Sequence, residues 1–399
     1  MRERQGKTQV IAVALVTAFC LLGDSMLYIV LPIYWREAGL QSLWEVGILL
    51  AVNRLVRLPL GPLVGKWYER SGGRSGLTVA VVLAFVTTVS YSLQGFGVWL
   101  VLRSVWGIAW TFLRLGAYSL IVSVSEEHNR GQLMGLYNGL YRLGSLGGMI
   151  AGALLASWYG LDVTSMVLGC FSLPALVLVF LYIPPSFRKC RVSTDTAKVD
   201  ERFWKQGSVW AVMASALFVA MVYQGMFASS LSRLVEIRQP VVLVGGMTIG
   251  AAVVASMVQG ARWGWEPWAA PWFGRLADRY GRTSLLAWAL LVAAVLFAAL
   301  VAPVPFWLWL CVLLGIQLTA TILTTVVDTL AADEASRQAN STALMTLYSV
   351  VTDVGAALGP LLAFGLGAEA ICYGIAAVLL LLAVRWGLGH ERREKQSAL

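Results

Sequence analysis

GPLVGKWYERSGGR, residues 61–74, returns as APWFGRLADRYGR at residues 270–282. Pro62 matches Pro271, Gly65 matches Gly274, Glu69 matches Asp278, Arg70 matches Arg279 and Gly72 matches Gly281, each pair 209 residues apart. Two further echoes stand at nearly the same offset. LMGLY (133–137) returns as LMTLY (344–348), 211 residues on, and Trp99, Gly107, Ile108 and Thr111 return as Trp307, Gly315, Ile316 and Thr319, 208 residues on. A chain that repeats itself at half its length is two copies of one design, so the architecture follows from what one copy is.

Each copy is membrane-spanning by composition. Of 399 residues, 58% are hydrophobic and 13% are Asp, Glu, Lys or Arg, against about 45–50% and about 25% in a soluble chain. A soluble enzyme, a disulfide scaffold and a disordered regulator are excluded. Apolar runs alternate with short charged hinges, and the expected spans are 10–35, 43–65, 76–94, 97–122, 131–158, 163–183, 207–232, 241–270, 283–302, 305–331, 338–365 and 369–388. Runs longer than the roughly 20 residues needed to cross imply tilt or extension beyond the bilayer. The first run follows Arg2, Arg4 and Lys7 and leads at once into another span, which reads as a retained anchor. The polar stretch 186–206 separates an N-terminal six-helix bundle, 1–185, from a C-terminal one, 207–399. The fold expected is all-α: twelve transmembrane helices in two pseudo-symmetric six-helix bundles.

The net charge of +9 does not mark a nucleic-acid binder, because the charges sit in hinges and at the termini. Of the 30 Lys and Arg, 20 fall on the side that holds both termini, and three (Arg36, Arg233, Arg238) on the other. The remaining seven lie in or at the ends of spans. This bias places both termini in the cytoplasm, and the plasma membrane is the expected location. The five cysteines have no C-x-x-C spacing, and four lie in apolar runs as packing residues. The two histidines, His128 and His390, fall in hinges, so neither a metal site nor a cofactor is expected. No cluster of nucleophile, base and metal ligands is visible in the spans, and an enzyme is not expected.

Ionisable residues inside spans are costly and usually functional. The first half holds Asp24, Arg54, Arg57, Arg103, Arg114 and Arg142; the second holds Arg262, Glu266, Asp328 and Asp353. At 1.5 Å per residue, Asp24 and Arg103 both lie about 10–13 Å below the outer face. Arg54 and Arg57 share a helix face, as do Arg103 and Arg114. Arg142 and Asp353 are repeat partners, 211 residues apart. Five deep arginines against one carboxylate in the first half favour an anionic or zwitterionic solute; lipid headgroups or backbone carbonyls are the other destinations open to them. Many of the 17 tryptophans, among them Trp35, Trp44, Trp99, Trp158 and Trp307, fall near span ends as an interfacial belt. Trp106, Trp110, Tyr28 and Tyr223 lie deeper, where a ring can stack on an aromatic or amphipathic solute.

The repeated loop has a mechanical reading. Glycines at 61, 65, 72, 274 and 281 permit close helix approach or a tight turn. A carboxylate, Glu69 or Asp278, can sit against the N-terminal dipole of a neighbouring helix while the adjacent Arg70 or Arg279 holds it, a contact worth about 1–2 kcal/mol. A contact of that size biases one of two conformations and still breaks in each cycle.

With these residues in view, the whole chain resembles the major facilitator superfamily of secondary transporters. The loop signature G-x-x-x-D-R-x-G-R stands as Gly274 to Arg282; the first half has Glu69 for the aspartate and an extra Gly73 before Arg74. Arg103 followed by Gly107 matches the fourth-span motif. Gly144, Gly148 and Gly152 keep the spacing of the antiporter branch's fifth span, with Met149 in place of its proline, and the better Gly-Pro pair is Gly359-Pro360. The resemblance implies alternating access, with one half rocking against the other, and a central cavity lined by the first and fourth helices. That places Asp24 against Arg103 in an ion pair that a proton on Asp24 would break. Asp24, Arg54, Arg57, Arg103, Arg114, Arg142 and Asp353 are the candidate proton-coupling or cavity residues. Gly65, Glu69, Arg70, Gly72, Gly274, Asp278, Arg279 and Gly281 are the candidate gating residues. No phosphate-binding G-x-x-x-x-G-K-[ST] motif is present, so the partners expected are protons, a small-molecule solute and the lipid bilayer, around a monomer. Export is what the resemblance favours; proton-driven uptake of an organic anion and a non-transporting receptor remain open beside it.

Overall fold

The computed structural model describes residues 2–125, 130–185, 207–244, 247–336, 341–365 and 368–397, so the expected linker 186–206 lies outside the described residues. The side chains of some other helix and strand residues, Glu69 among them, also lie outside that set. The helices are α1 (Arg2–Tyr34), α2 (Leu43–Ser71), α3 (Gly73–Ser90), α4 (Phe96–Val124), α5 (Arg130–Cys170) and α6 (Pro174–Tyr182). After the linker come α7 (Gly207–Val219), a π-helical stretch (Ala220–Phe227) and α8 (Ala228–Arg238). Strands β1 (Val241–Val244) and β2 (Met247–Gly250) follow, then α9 (Ala251–Tyr280), α10 (Arg282–Ala299), α11 (Phe306–Ser336), α12 (Ser341–Gly365) and α13 (Ala368–Ser397). The described chain forms two compact units. One is residues 1–194 with 230–257, the other 195–229 with 258–399.

This is a multi-pass, all-α membrane protein. Eight helical segments of the described residues are long and apolar enough to cross a bilayer, and Cys372–Gly387 is a shorter apolar helix. One of the eight, Leu133–Tyr182, holds 50 residues and two expected spans, parted where Gly160 adopts φ +78°. The second and eighth expected spans, in α2 and α9, are not among the eight. Their apolar runs are interrupted by Arg54, Arg57 and Lys66 in one case and by Arg262 and Glu266 in the other.

One expected helical stretch folds differently. Strands β1 and β2, in the stretch read above as the start of a span, pair antiparallel, Val241 with Gly250 and Val244 with Met247. The reason is local. A Val-Val-Leu-Val run bounded by Pro240 and by Gly245-Gly246 supplies β-branched residues and turn formers, and the helix begins only where the alanines do.

The repeat is visible in packing as well as in sequence. In the first unit α5 lies on α1 through Gly144, Gly148 and Gly152: a Cβ there would come within 2.4 Å of Ala18, Leu22 and Met26 respectively. In the second unit α12 meets the seventh span in the same way, Gly355 against the Leu217 carbonyl at 2.2 Å and Gly359 against Met221 and Gly225 at 2.4 Å. Small residues at four-residue spacing let two backbones touch, which is how helices associate where lipid offers no hydrophobic drive. The register equates residues 18, 22 and 26 with 217, 221 and 225.

The tryptophans divide. Trp44, Trp158 and Trp307 are exposed, as a belt at the bilayer edge requires. Trp99 departs from that expectation. It is fully buried, stacks on Tyr91 at 4.8 Å and donates its Nε1–H to the Leu93 carbonyl at 2.8 Å. Its structural counterpart is Trp309, buried and bonded through Nε1 to the Leu300 carbonyl at 3.0 Å. The third sequence echo is therefore displaced by two residues from the packing repeat.

Candidate functional site

Asp24 on α1 and Arg103 on α4 form a buried ion pair: the arginine side chain is inaccessible and that of Asp24 is 8% exposed. Arg103 Nη1 donates to Asp24 Oδ1, and its Nε donates to the Leu49 carbonyl of α2 at 3.0 Å. Asp24 Oδ1 also accepts from Asn53 Nδ2 at 3.3 Å. Burying a charge is tolerable when it is paired and hydrogen-bonded; here Nε and Nη1 of the guanidinium are bonded, while its Nη2 is buried without a hydrogen-bond partner among the described residues.

The Arg103–Gly107 spacing has a physical explanation in this packing. Gly107 lies one turn along α4, and a Cβ there would sit 2.6 Å from the Asn53 carbonyl. Arginine and glycine thus engage successive turns of α2, at Leu49 and Asn53. Without the glycine the helices would stand too far apart for the guanidinium to reach both its carbonyl and its carboxylate.

Asn53 continues the chain of contacts. Its Oδ1 accepts from Arg57 Nη2 at 2.7 Å and its carbonyl from Arg57 Nε at 3.0 Å. The Arg57 guanidinium lies over the Trp110 ring at 5.4 Å. Arg54 lies over Tyr28 at 6.0 Å and Arg114 over Tyr118 at 5.6 Å. Each cation–π contact is worth about 0.5–2 kcal/mol depending on its desolvation. Trp110 touches Tyr141, Tyr141 touches Tyr137 and Tyr137 touches Tyr118, at centroid distances of 6.0, 5.0 and 6.0 Å. The result is a band of aromatic rings on α4 and α5 with two arginines laid against it.

The remaining sequence candidates are more scattered. Arg142 is exposed on α5 and Asp353 is half-buried on α12, each two residues ahead of its glycine stripe. Trp106 and Tyr223 are buried in their units. Tyr223 packs edge-on to Phe297 at 5.8 Å and shares a 2.9 Å hydrogen bond with Thr319. By the glycine-stripe register Tyr223 stands where Asp24 stands in the first unit. By the register of Trp99 and Trp309, Leu313 stands where Arg103 does, and it is buried. The buried ion pair of one half is thus replaced by neutral residues at the equivalent positions of the other.

At the repeated loops, Gly72 and Gly281 take φ of +81° and +88°, the left-handed turn that glycine enters without steric cost. Gly61 and Gly274 have open space where a Cβ would stand, and at Gly65 the nearest atom is 3.9 Å away, so close helix approach does not require these three here. Asp278 is held at 3.0 Å by Arg282, the first residue of α10 beyond the Gly281 turn, while Arg279 lies over Tyr280 at 5.5 Å. Arg282 also pairs with Asp333 of α11. Asp333 in turn lines a cleft of about 260 Å³ with Ser208, Glu334 and Arg385. In the first half Arg74 instead donates twice to the Ile183 carbonyl beyond α6, at 2.9 and 2.8 Å. Gly73 shifts this arginine by one residue. Glu69 and its contacts lie outside the described residues. Among the described residues no group of His, Cys, Asp and Glu is arranged to hold a metal ion.

Sequence reasoning missed Asn53. The signal was a single amide in the otherwise apolar and basic run LLAVNRLVR (49–57), on the same face as Arg57.

The sequence profile of the Major Facilitator Superfamily matches residues 13–266 and 267–398. Multidrug resistance protein MdtG of Salmonella choleraesuis is 24% identical over 373 residues, covering 88% of this chain and 86% of that protein. The probable vesicular acetylcholine transporter-B of Danio rerio is 26% identical over 235 residues, 56% of this chain and 47% of the relative. The chromaffin granule amine transporter of Homo sapiens is 27% identical over 160 residues, 40% of this chain and 30% of the relative. The chain thus spans half or less of the length of these two relatives. Among solved structures, a bacterial homolog of the human lysosomal transporter Spinster, inward-facing and unoccupied, superposes with a TM-score of 0.72 at 15% identity, covering 96% of this chain and 92% of that one. At that identity the likeness concerns the fold alone.

Proposed function

The chain belongs to the Major Facilitator Superfamily, and from that membership we propose that it is a proton-coupled exporter of a small organic solute. It works by alternating access, with 1–185 and 207–399 as the rocking halves and 186–206 as their tether. It acts as a monomer in the plasma membrane, with both termini cytoplasmic. The observation that carries the reading is the buried Asp24–Arg103 pair, placed in one half and replaced by Tyr223 and Leu313 in the other. A proton taken up by Asp24 removes one charge of the pair and leaves Arg103 to the Leu49 carbonyl. The helices α1, α2 and α4 joined at this point then lose an electrostatic tie, and the energy of the two conformations shifts by what the tie was worth.

For the solute, Arg54, Arg57 and Arg114 on their aromatic partners favour an anionic or zwitterionic amphiphile. Guanidinium planes bind carboxylate or phosphate while the rings accept the apolar body. A second reading is an organic amine, favoured by the names of the vesicular acetylcholine and chromaffin granule amine relatives.

Purified protein screened by thermal shift against organic anions, zwitterions and lipophilic cations separates these readings. Flux of the stabilising compound is then followed in proteoliposomes under an imposed pH gradient. Stabilisation by anions or zwitterions, with gradient-driven flux that Asp24→Asn abolishes, is the expected result. Stabilisation by lipophilic cations alone overturns the anion assignment. Folded protein that moves none of the compounds overturns the transporter reading in favour of a receptor.

A further inference from the structure

We propose that Asn53 is a positioning residue through which the charge on Asp24 sets where Arg57 lies. Its side chain is fully buried between the two. The amide nitrogen faces the carboxylate at 3.3 Å and the amide oxygen faces the guanidinium at 2.7 Å. An amide offers donors at one end and an acceptor at the other. With Asp24 ionised and Arg57 cationic, one orientation satisfies both neighbours, and the flipped one faces oxygen to carboxylate and NH₂ to guanidinium. The backbone at this position is fixed, because the Asn53 carbonyl is seated against Gly107 and also accepts from Arg57. Only the side-chain amide is left to respond.

The remaining groups around Asp24 are few. Arg103 reaches it from α4, Tyr28 lies one turn on in α1, and Tyr91 at the end of α3 interacts with Arg103. From α2, Arg54 lies over Tyr28 and Arg57 lies beyond Asn53. From α5 this part of α1 meets Gly148 and Gly152. A proton on Asp24 removes the charge that orients the amide. Asn53 then no longer has to present its oxygen to Arg57, and the guanidinium is released from its seat against Trp110. In the direction of function, taking up a proton on α1 loosens a cation on the aromatic band two turns away from Arg103 along α4.

This inference rests on the reading of Asp24 as a group that changes its protonation state, but its test needs neither transport nor a known solute. The probe is phenylglyoxal, and the readout is the modification rate of Arg57 relative to Arg36 in the same molecule, by peptide mapping. Asp24→Asn is expected to raise the relative rate at Arg57 by about fivefold or more, the low end of ordinary site-to-site coupling. Asn53→Leu is expected to raise it alone, and Asp24→Asn added to Asn53→Leu to add nothing. Asn53→Ser, smaller and still polar, serves if the leucine variant does not fold. An unchanged Arg57 rate in Asp24→Asn, or multiplicative effects in the double variant, overturns the proposal. Loss of gradient-driven flux in Asp24→Asn with Arg57 unmoved would leave proton coupling standing and Asn53 without this role.

Discussion

Arg103→Leu is expected to destabilise the protein by about 3–5 kcal/mol, the cost of leaving a buried charge without its partner. Asp24 is 8% exposed and Arg103 not at all, so water cannot take the place of the missing guanidinium. Adding Asp24→Asn should recover most of the loss, because a neutral side chain at 24 needs no countercharge. Thermal unfolding of the two single variants and the double in detergent measures this as a double-mutant cycle. Additive losses would mean that the two side chains do not depend on each other. The first unit's α1, α2 and α4 would then be held by their apolar contacts alone, around Trp106 and Leu113.

The second large effect is purely steric. At Gly359 an added Cβ would stand 2.4 Å from the Met221 carbonyl oxygen and equally close to the Gly225 Cα. Both are backbone atoms, and no rotamer change relieves the clash. Gly359→Ala should cost about 1–3 kcal/mol by overpacking. Gly359→Leu should drive the helices apart and leave little folded, monodisperse protein. Gly148→Ala, with a Cβ 2.4 Å from the Leu22 carbonyl, should behave in the same way if the two stripes are equivalent. Gly374→Ala on α13 is the control, since nothing lies within 4 Å of its Cβ position, and its effect should stay within about 0.5 kcal/mol. Equal thermal stability of the three alanine variants would contradict the close packing.

Much of this molecule was legible before any coordinates. The repeat showed in GPLVGKWYERSGGR and its partner because proline, glycine and charge recur there at one offset, and of those glycines 72 and 281 turn the chain at positive φ. The Asp24–Arg103 contact followed from two things together: a count of 1.5 Å per residue that sets both at one depth, and the family resemblance, which implies that the first and fourth helices line one cavity. What escaped has a common cause. Asn53 is neutral, and its importance comes from lying between two charged groups on different helices, which no one-dimensional pattern records. The pairing of β1 with β2 was hidden because a short apolar run reads alike as strand or helix. Arg282 rather than Arg279 holds Asp278, across the left-handed turn at Gly281, whereas side chains adjacent on one helix diverge. Trp99 was paired with Trp307 rather than with Trp309 because Trp307, two residues earlier, matched by letter, although it points to the exterior.

The claim on which the account turns is that a polar site around Arg57 opens to one side of the membrane at a time. Single cysteines at Thr111, beside Trp110 on α4, and at Thr352, beside Asp353 on α12, report on it most directly in a background with the native cysteines replaced by serine. Oriented vesicles are treated with an impermeant maleimide from either face, with the pH gradient imposed in each direction. The account predicts that each position labels from both faces, and that conditions raising the rate from one face lower it from the other. Labelling that is blocked from both faces under every gradient, in protein that remains folded, would contradict it.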